Sequence, residues 1–143
     1  MTLRIYDVPS EMVTDFWSAV EPMLSRAIDL HPHIDMPGML QILIRQFAQL
    51  IVATLDGQIQ AAAIMERVQY PGHTVGNILA LAGNSGTAPH MHQLSSHCEQ
   101  WAKDRGCDRI AFVGRPGLSK IARKRHGNTL TLVHAWRDLG GVS

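Results

Sequence analysis

The sequence has only two cysteines and no apolar run near the ~20 residues that a helix needs to cross a bilayer. Its first residues also lack the basic segment followed by an apolar one that marks a secretory signal. Cys98 lies on one predicted helix and Cys107 just beyond its end, so we expect no disulfide bridge between them. Free cysteines fit a reducing compartment. These absences favour a cytoplasmic protein with no membrane partner.

No internal repeat, low-complexity tract or linker divides the chain. Its 143 residues are enough for one substantial hydrophobic core. A content of 45% hydrophobic and 17% charged residues is ordinary for a globular protein. We therefore expect a single domain spanning residues 1–143.

Charge is divided unevenly along the chain. Residues 1–70 hold four Lys/Arg against eight Asp/Glu, whereas residues 71–143 hold nine against four. A cluster in the basic half could hold a phosphorylated cofactor, attract nucleic acid or form a solvated helix face; it comprises Lys120, Arg123, Lys124 and Arg125. No aromatic residues alternate with these cations, as stacking on single strands would need, so we do not expect a nucleic-acid partner.

The most informative stretch lies between Gly76 and Gly106. It predicts a buried strand at residues 77–82, a loop of small residues at 83–88 and an amphipathic helix from about Pro89. One face of that helix carries Met91, Leu94, Cys98, Trp101 and Ala102. Thr87 or Ala88 occupies the N-cap position, and Gly106 is a natural C-terminal stop.

The loop at residues 83–88 is a candidate anion site. A glycine-containing loop at a helix N-terminus leaves backbone N–H groups free beside the positive end of the helix dipole. Such groups can bind a phosphate or pyrophosphate. A plain strand-to-helix connection that binds nothing has the same sequence pattern, and short glycine motifs are common.

The rest of the chain predicts a mixed sheet. A short strand at 3–6 precedes a helix from about Pro9, in which Pro22 predicts a kink or break. A second helix follows Gly38, with Met39, Leu40, Leu43 and Phe47 directed inward. Strands at 50–55 and 59–68 flank the hairpin signal Asp56-Gly57, and further elements are a strand at 109–113, a helix at 118–126 and a strand at 129–136. The order β-α-α-β-β-β-α-β-α-β predicts an α/β (α+β) fold with helices on both faces of a mixed central sheet.

This element order and the loop resemble the GNAT N-acetyltransferase superfamily. The usual signature of that family is Gln or Arg, two residues, Gly, one residue, then Gly or Ala. The chain matches at Gly86 and Ala88, and has Gly83 where the long polar side chain stands. The resemblance implies acetyl-CoA or another acyl-CoA as cofactor, with the loop amides on its pyrophosphate. The cofactor-binding residues it implies are Leu81, Ala82, Gly83, Asn84, Ser85, Gly86, Thr87, Ala88 and Arg123.

Two segments are similar to GNAT-like proteins of tailed phages, including internal virion proteins. They are residues 101–107 and residues 114–118. That branch commonly has a Trp at the position of Leu118 and an aromatic residue at the position of Asn128. The resemblance implies a location in the host cytoplasm or in the virion.

Acyl transfer to an amine needs a base, a donor for the thioester carbonyl and an acid for the leaving thiolate. The resemblance places the carbonyl donor in the backbone near Leu81 or Ala82. Glu66 is the candidate base, and an outward-facing structural role is the alternative; the histidines at positions 31, 33 and 90 could serve through a water. The family's usual acid is a Tyr at the position of Arg123, which leaves Ser119 and His126 as candidate acids.

Histidine clusters do not predict a metal site. His31 and His33 with Asp35 form one cluster, and a second lies at positions 90, 92 and 97. On a helix, residues two apart point about 200° apart, so His90 and His92 would not share an ion. Surface histidines at loop corners explain the pattern equally well.

Two hypotheses for function follow. The first is an acyl-CoA-dependent N-acyltransferase that carries acetyl directly to an amine of a small molecule or a protein. The alternative is a catalytically inactive GNAT-fold phage protein that binds a host or virion protein. The resemblance also suggests a homodimer.

Overall fold

A computed structural model describes residues 3–28, 35–84, 86–112 and 130–132. Within these ranges the chain forms six strands, three α-helices and two short 3₁₀ turns. The strands are β1 (Leu3–Val8), β2 (Gln49–Leu55), β3 (Gln58–Gln69), β4 (Thr74–Gly83), β5 (Arg109–Phe112) and β6 (Leu130–Leu132). The helices are α1 (Val13–Ile28), α2 (Met36–Ile44) and α3 (Met91–Asp104), and the 3₁₀ turns cover Ser10–Met12 and Ala88–His90.

The strands form one mixed sheet in the order β1-β2-β3-β4-β5-β6. The first four strands pair antiparallel, and β5 then pairs parallel to β4, and β6 parallel to β5. The β2–β3 hairpin turns at Asp56 and Gly57, whose φ angles of 52° and 80° are those of the predicted tight turn. Helix α3 supplies the crossover that a parallel β4–β5 pair requires. The predicted helix at 118–126 lies outside the described residues.

Helices cover both faces of the sheet, as the sequence predicted. One hydrophobic cluster joins α1 and α2 to the sheet through Val20, Leu24, Met39 and Leu43. The other joins α3 to the opposite face through Leu94, Cys98, Trp101 and Ala102. The predicted mixed α/β (α+β) architecture is therefore confirmed.

Two details of the helices differ from the predictions. Pro22 does not break α1, which runs continuously from Val13 to Ile28. Ser18 and Pro22 are both exposed, so water can satisfy the carbonyl that loses its helical donor at the proline. Phe47 was predicted to face inward, but it follows the end of α2 and is 67% exposed.

Two irregularities in strand pairing decide which side chains face α3. The β2–β3 register skips Gln60, and the β3–β4 register skips Leu79. Such bulges reverse the alternation of side chains beyond the extra residue. Ile78 and Leu81 therefore both lie in the cluster under α3, whereas Leu79 and Ala80 lie together in the opposite one.

No helix within the described ranges combines the length and the apolar composition needed to span a membrane.

The two cysteines are free thiols in different environments, and they should react differently. Cys98 is buried, and burial, with a further contribution from the negative charge of Asp7, raises its pKa to about 12. Cys107 is half-buried, and this burial also raises the pKa of its thiol, although the positive charges of Arg67 and Arg105 oppose the shift and the side chain stays accessible to a reagent. Because the thiolate is the reactive form, we expect a thiol reagent at pH 8 to label Cys107 in the native protein and Cys98 only after unfolding. Cys107→Ser should abolish native labelling, and rapid labelling of Cys98 in that folded variant would contradict this packing.

Candidate functional site

The strand–loop–helix unit predicted around the loop is present. Strand β4 ends at Gly83, the 3₁₀ turn occupies Ala88–His90, and α3 begins at Met91. The predicted face of α3 is confirmed, since Leu94, Cys98, Trp101 and Ala102 are buried and Met91 packs partly buried beside them. Gly106, with a φ of +77°, lies just past the end of the helix, and Cys107 N donates to Ala102 O at 3.0 Å.

The loop is attached to β3 through Asn84. The backbone N–H of Asn84 donates to the carbonyl of Gln60 at 2.8 Å, and its side-chain Nδ2 donates to Gln60 Oε1 at 3.3 Å. Gln60 is the extra residue of the β2–β3 bulge, so the irregularity presents both of its acceptors to the loop. This pair of bonds fixes the position at which the chain leaves β4.

Thr87 holds the other end of the loop. Its side chain is 3% exposed, and its Oγ1 donates to Asn84 O at 2.6 Å. Its backbone N–H reaches the same carbonyl at 3.2 Å. Thr87 occupies the N-cap position of the 3₁₀ turn, but its hydroxyl makes no capping bond because it is used within the loop.

Gly83 stands where the GNAT signature has a long polar side chain, and the structure explains this difference. A Cβ at Gly83 would overlap Thr87 Oγ1 and would lie 3.2 Å from Met91 Sδ. Both groups belong to the buried contact between the loop, β4 and α3. The space that a Gln or Arg would need is therefore filled by this chain's own side chains.

The remaining loop amides differ in their availability. Those of Asn84 and Thr87 donate within the chain, which removes them from the predicted anion site. Those of Gly86 and Ala88 have no backbone acceptor among the described residues. Gly86 has a φ of +94°, and a Cβ there would meet nothing within 4 Å. The accessible part of the loop is thus the segment around Gly86 and Ala88, while Ser85 lies outside the described residues.

Leu81 and Ala82 lie in the part of β4 that extends beyond its described pairing with β5. The β4–β5 pairs run from Val75↔Arg109 to Ile78↔Phe112. Beyond this point, residues 80–83 are paired with β3 on the other side. The bulge at Leu79 lies where the described pairing with β5 ends, and bulges are frequent beside active sites.

Glu66 lies well away from the loop. It pairs with Asn77 across β3 and β4, and Asn77 Nδ2 donates to Glu66 Oε1 at 3.1 Å. Asn77 is separated from Gly83 by six strand positions, or about 20 Å at the usual rise. Glu66 is half-buried on the face covered by α1, opposite to α3. The structure therefore does not bring the candidate base and the loop into contact.

The other candidate groups divide into two sets. His31, His33, Ser119, Arg123 and His126 lie outside the described residues. The histidines near α3 have separate partners, since His92 Nδ1 is 3.1 Å from Pro89 O and His97 Nε2 is 2.7 Å from Asp7 Oδ1. Within the ranges that the structure covers, no three His, Cys, Asp or Glu side chains are grouped so as to hold a metal ion.

The tight packing at Gly83 gives a prediction. Gly83→Ala should lower the free energy of unfolding by about 1–3 kcal/mol, because the new methyl overlaps Thr87 Oγ1. Thr87→Ala should cost about 1 kcal/mol through the lost bond to Asn84 O. The double variant should lose clearly less free energy of unfolding than the sum of the losses in the two single variants, as measured by urea unfolding. Gly72→Ala, in an open turn, is the control, and strict additivity at positions 83 and 87 would refute the proposed overlap.

No family model matches the sequence, and no curated protein matches it. Solved structures do resemble it. An aminoglycoside acetyltransferase from an uncultured soil metagenomic sample, solved with sisomicin, superposes with a TM-score of 0.72 at 12% identity and covers 94% of this chain and 93% of its own. A predicted acetyltransferase from Clostridium acetobutylicum, solved with acetyl-CoA, gives 0.65 at 17% identity over 88% and 89%.

A ribosomal-protein-alanine N-acetyltransferase from Brucella melitensis biovar Abortus 2308 gives a TM-score of 0.64 at 14% identity, with 94% of each chain covered. Identities this low establish a shared fold, and the matches extend over nearly the whole chain. The fold implied by the resemblance to the GNAT superfamily is thus confirmed: this chain has the fold of these acetyltransferases.

Proposed function

We propose that this protein is a GNAT-type N-acyltransferase that transfers acetyl from acetyl-CoA to an amine. The observation that carries the proposal is the open backbone at Gly86 and Ala88, placed at the N-terminal end of α3 in an acetyltransferase fold.

The residues around Gly86 fit a phosphate-bearing cofactor. A pyrophosphate can approach the Gly86 backbone, since Gly86 is exposed and a Cβ added there would meet no atom beyond its two chain neighbours within 4 Å. The amides of Gly86 and Ala88 would bind its oxygens, aided by the positive end of the α3 dipole. The bonds from Asn84 to Gln60 and from Thr87 to Asn84 would hold these amides in place. We propose that Ser85 and Arg123 complete this site.

The chemistry that acetyl-CoA supplies is an acetyl group activated as a thioester. The backbone of Leu81 or Ala82 would donate a hydrogen bond to the thioester carbonyl, where negative charge develops. Glu66, held by Asn77, is our proposed base. Because Asn77 lies four strand positions from Leu81, or about 13 Å, the proton that the amine loses as its nitrogen bonds to the acetyl carbon would reach Glu66 through water. Ser119 or His126 would return a proton to the sulfur as the carbon–sulfur bond breaks.

The acceptor is assigned only as an amine. Among proteins with this fold, one was solved with an aminoglycoside and another acts on a ribosomal-protein alanine. We therefore propose an amine of either a small molecule or a protein.

One observation favours a second function. Two of the loop amides, those of Asn84 and Thr87, are already bonded within the chain, and Gly83 lacks the signature side chain. A catalytically inactive GNAT-fold protein that binds a host or virion protein would also tolerate these differences. A partner recovered in stoichiometric amount, and bound equally well after Gly86→Glu, would support this alternative.

Calorimetry with acetyl-CoA and with CoA tests the transferase proposal. The wild-type protein should bind both, and Gly86→Glu should weaken binding at least tenfold by placing a carboxylate where the pyrophosphate is expected. Gly106→Glu is the matched control, because Gly106 also has a positive φ and open surroundings but lies past the other end of α3.

The proposal fails if the folded wild-type protein gives no heat and no thermal shift with millimolar acetyl-CoA. It also fails if Gly86→Glu and Gly106→Glu bind the cofactor equally well. If binding is confirmed, Glu66→Gln should lower kcat with little change in cofactor affinity, and an unchanged kcat would remove Glu66 from the mechanism.

A further inference from the structure

A cavity of about 420 Å³ lies at the end of the sheet opposite to the loop. Its lining includes Arg67 of β3, and Arg67 pairs with Gly76 near the beginning of β4. The loop, by contrast, follows Gly83, which pairs with Ala61. The cavity is therefore separate from the proposed acetyl-CoA site, and its volume is in the range of small-molecule pockets.

The lining of the cavity is cationic. It contains two arginines, Arg67 and Arg105, and no aspartate or glutamate. Neither arginine forms an ion pair with a carboxylate among the described residues. Two guanidinium groups that share a concave surface without an acid attract an anion.

Contacts with the backbone orient both arginines. Arg67 Nε donates to the carbonyl of Arg105 at 2.9 Å, and Arg105 Nη1 donates to the carbonyl of Trp101 at 3.1 Å. The Arg105 guanidinium also lies 4.1 Å above the centre of the Trp101 ring. Each guanidinium uses one N–H in these bonds and keeps others for a ligand. An orientation fixed in advance lowers the entropic cost of binding.

The cavity also has an aromatic and partly strained wall. Gln46 adopts a φ of +66°, a left-handed conformation that is unfavourable for a residue with a side chain, and Phe47 follows it with 67% exposure. The buried indole Nε1 of Trp101 has no hydrogen-bond partner among the described residues. The exposed ring of Phe47 beside the cavity is a cost to the free protein that an apolar ligand would reduce.

We propose that this cavity binds a small organic anion, consisting of an apolar ring or chain with one phosphate or carboxylate. The anionic group lies between Arg67 and Arg105, and the apolar body packs against Phe47. Phosphate and carboxylate fit the guanidinium geometry equally well, so the test compares ligands of both kinds.

Amide chemical shifts of residues 46–49, followed by NMR, report binding directly. Phenyl phosphate and benzoate are the probes, inorganic phosphate lacks the ring, and benzyl alcohol lacks the charge. We expect saturable shifts with at least one of the two organic anions, and at least tenfold weaker binding of inorganic phosphate and benzyl alcohol. Absence of saturable shifts with both organic anions at millimolar concentration would overturn the proposal.

Variants locate the binding groups. Arg67→Gln and Arg105→Gln should each weaken binding of the organic anion about tenfold, whereas Arg4→Gln, which removes an exposed arginine outside the cavity, should have no effect. Phe47→Ala removes an exposed side chain with little risk to folding, and should weaken the organic anion but not inorganic phosphate. Equal effects of Arg4→Gln and Arg67→Gln, or no effect of Phe47→Ala, would refute the site.

The test is independent of the proposed transferase. Gly86→Glu should leave probe binding unchanged, and the cavity variants should leave acetyl-CoA binding unchanged. If Gly86→Glu abolished probe binding in a folded protein, the probes would be binding at the loop and the cavity proposal would be wrong.

Discussion

The double attachment of Asn84 to Gln60 is the constraint on which the candidate site depends. It continues the antiparallel ladder one residue beyond β4, so that the loop begins from a fixed point. Thr87 then closes the loop onto the carbonyl of the same asparagine. Among the described loop residues, the backbone N–H groups without an internal backbone acceptor are those of Gly86, between these two anchors, and Ala88, just after them. The same bonds that position this segment also remove two amides from it.

The bulge at Leu79 has a comparable effect on the packing of α3. Without it, Gly76 and Gly83 would face opposite sides of the sheet, because they are an odd number of positions apart. With it, both glycines lie beneath α3, where added Cβ atoms would meet Ala102 and Thr87. The strand thus approaches the helix closely near both of its ends. One extra residue in one strand makes this double contact possible.

Periodicity and turn chemistry predicted much of this structure from the sequence. The apolar face of α3, the Asp56-Gly57 hairpin and the stop at Gly106 are local patterns, and each is confirmed. The bulges at Gln60 and Leu79 depend on register between distant segments, which no local pattern encodes. The prediction that Phe47 is directed inward was wrong for a related reason. The chain turns at Gln46 in a left-handed conformation, and the sequence has no glycine there to indicate such a turn. The cavity between Arg67 and Arg105 likewise arises from residues that are far apart in sequence.

The close contact between Gly76 and Ala102 has a consequence for how this chain can change in evolution. A Cβ on Gly76 would lie 2.6 Å from the Ala102 methyl, so this approach of β4 to α3 leaves no room for a side chain at position 76. Gly83 is restricted in the same way by Thr87 and Met91, so a side chain at either glycine would push α3 or the loop away from β4. Length changes that keep both glycines are best accommodated at the exposed Gly86, where an enlarged loop would project into solvent and leave the contact between β4 and α3 unchanged.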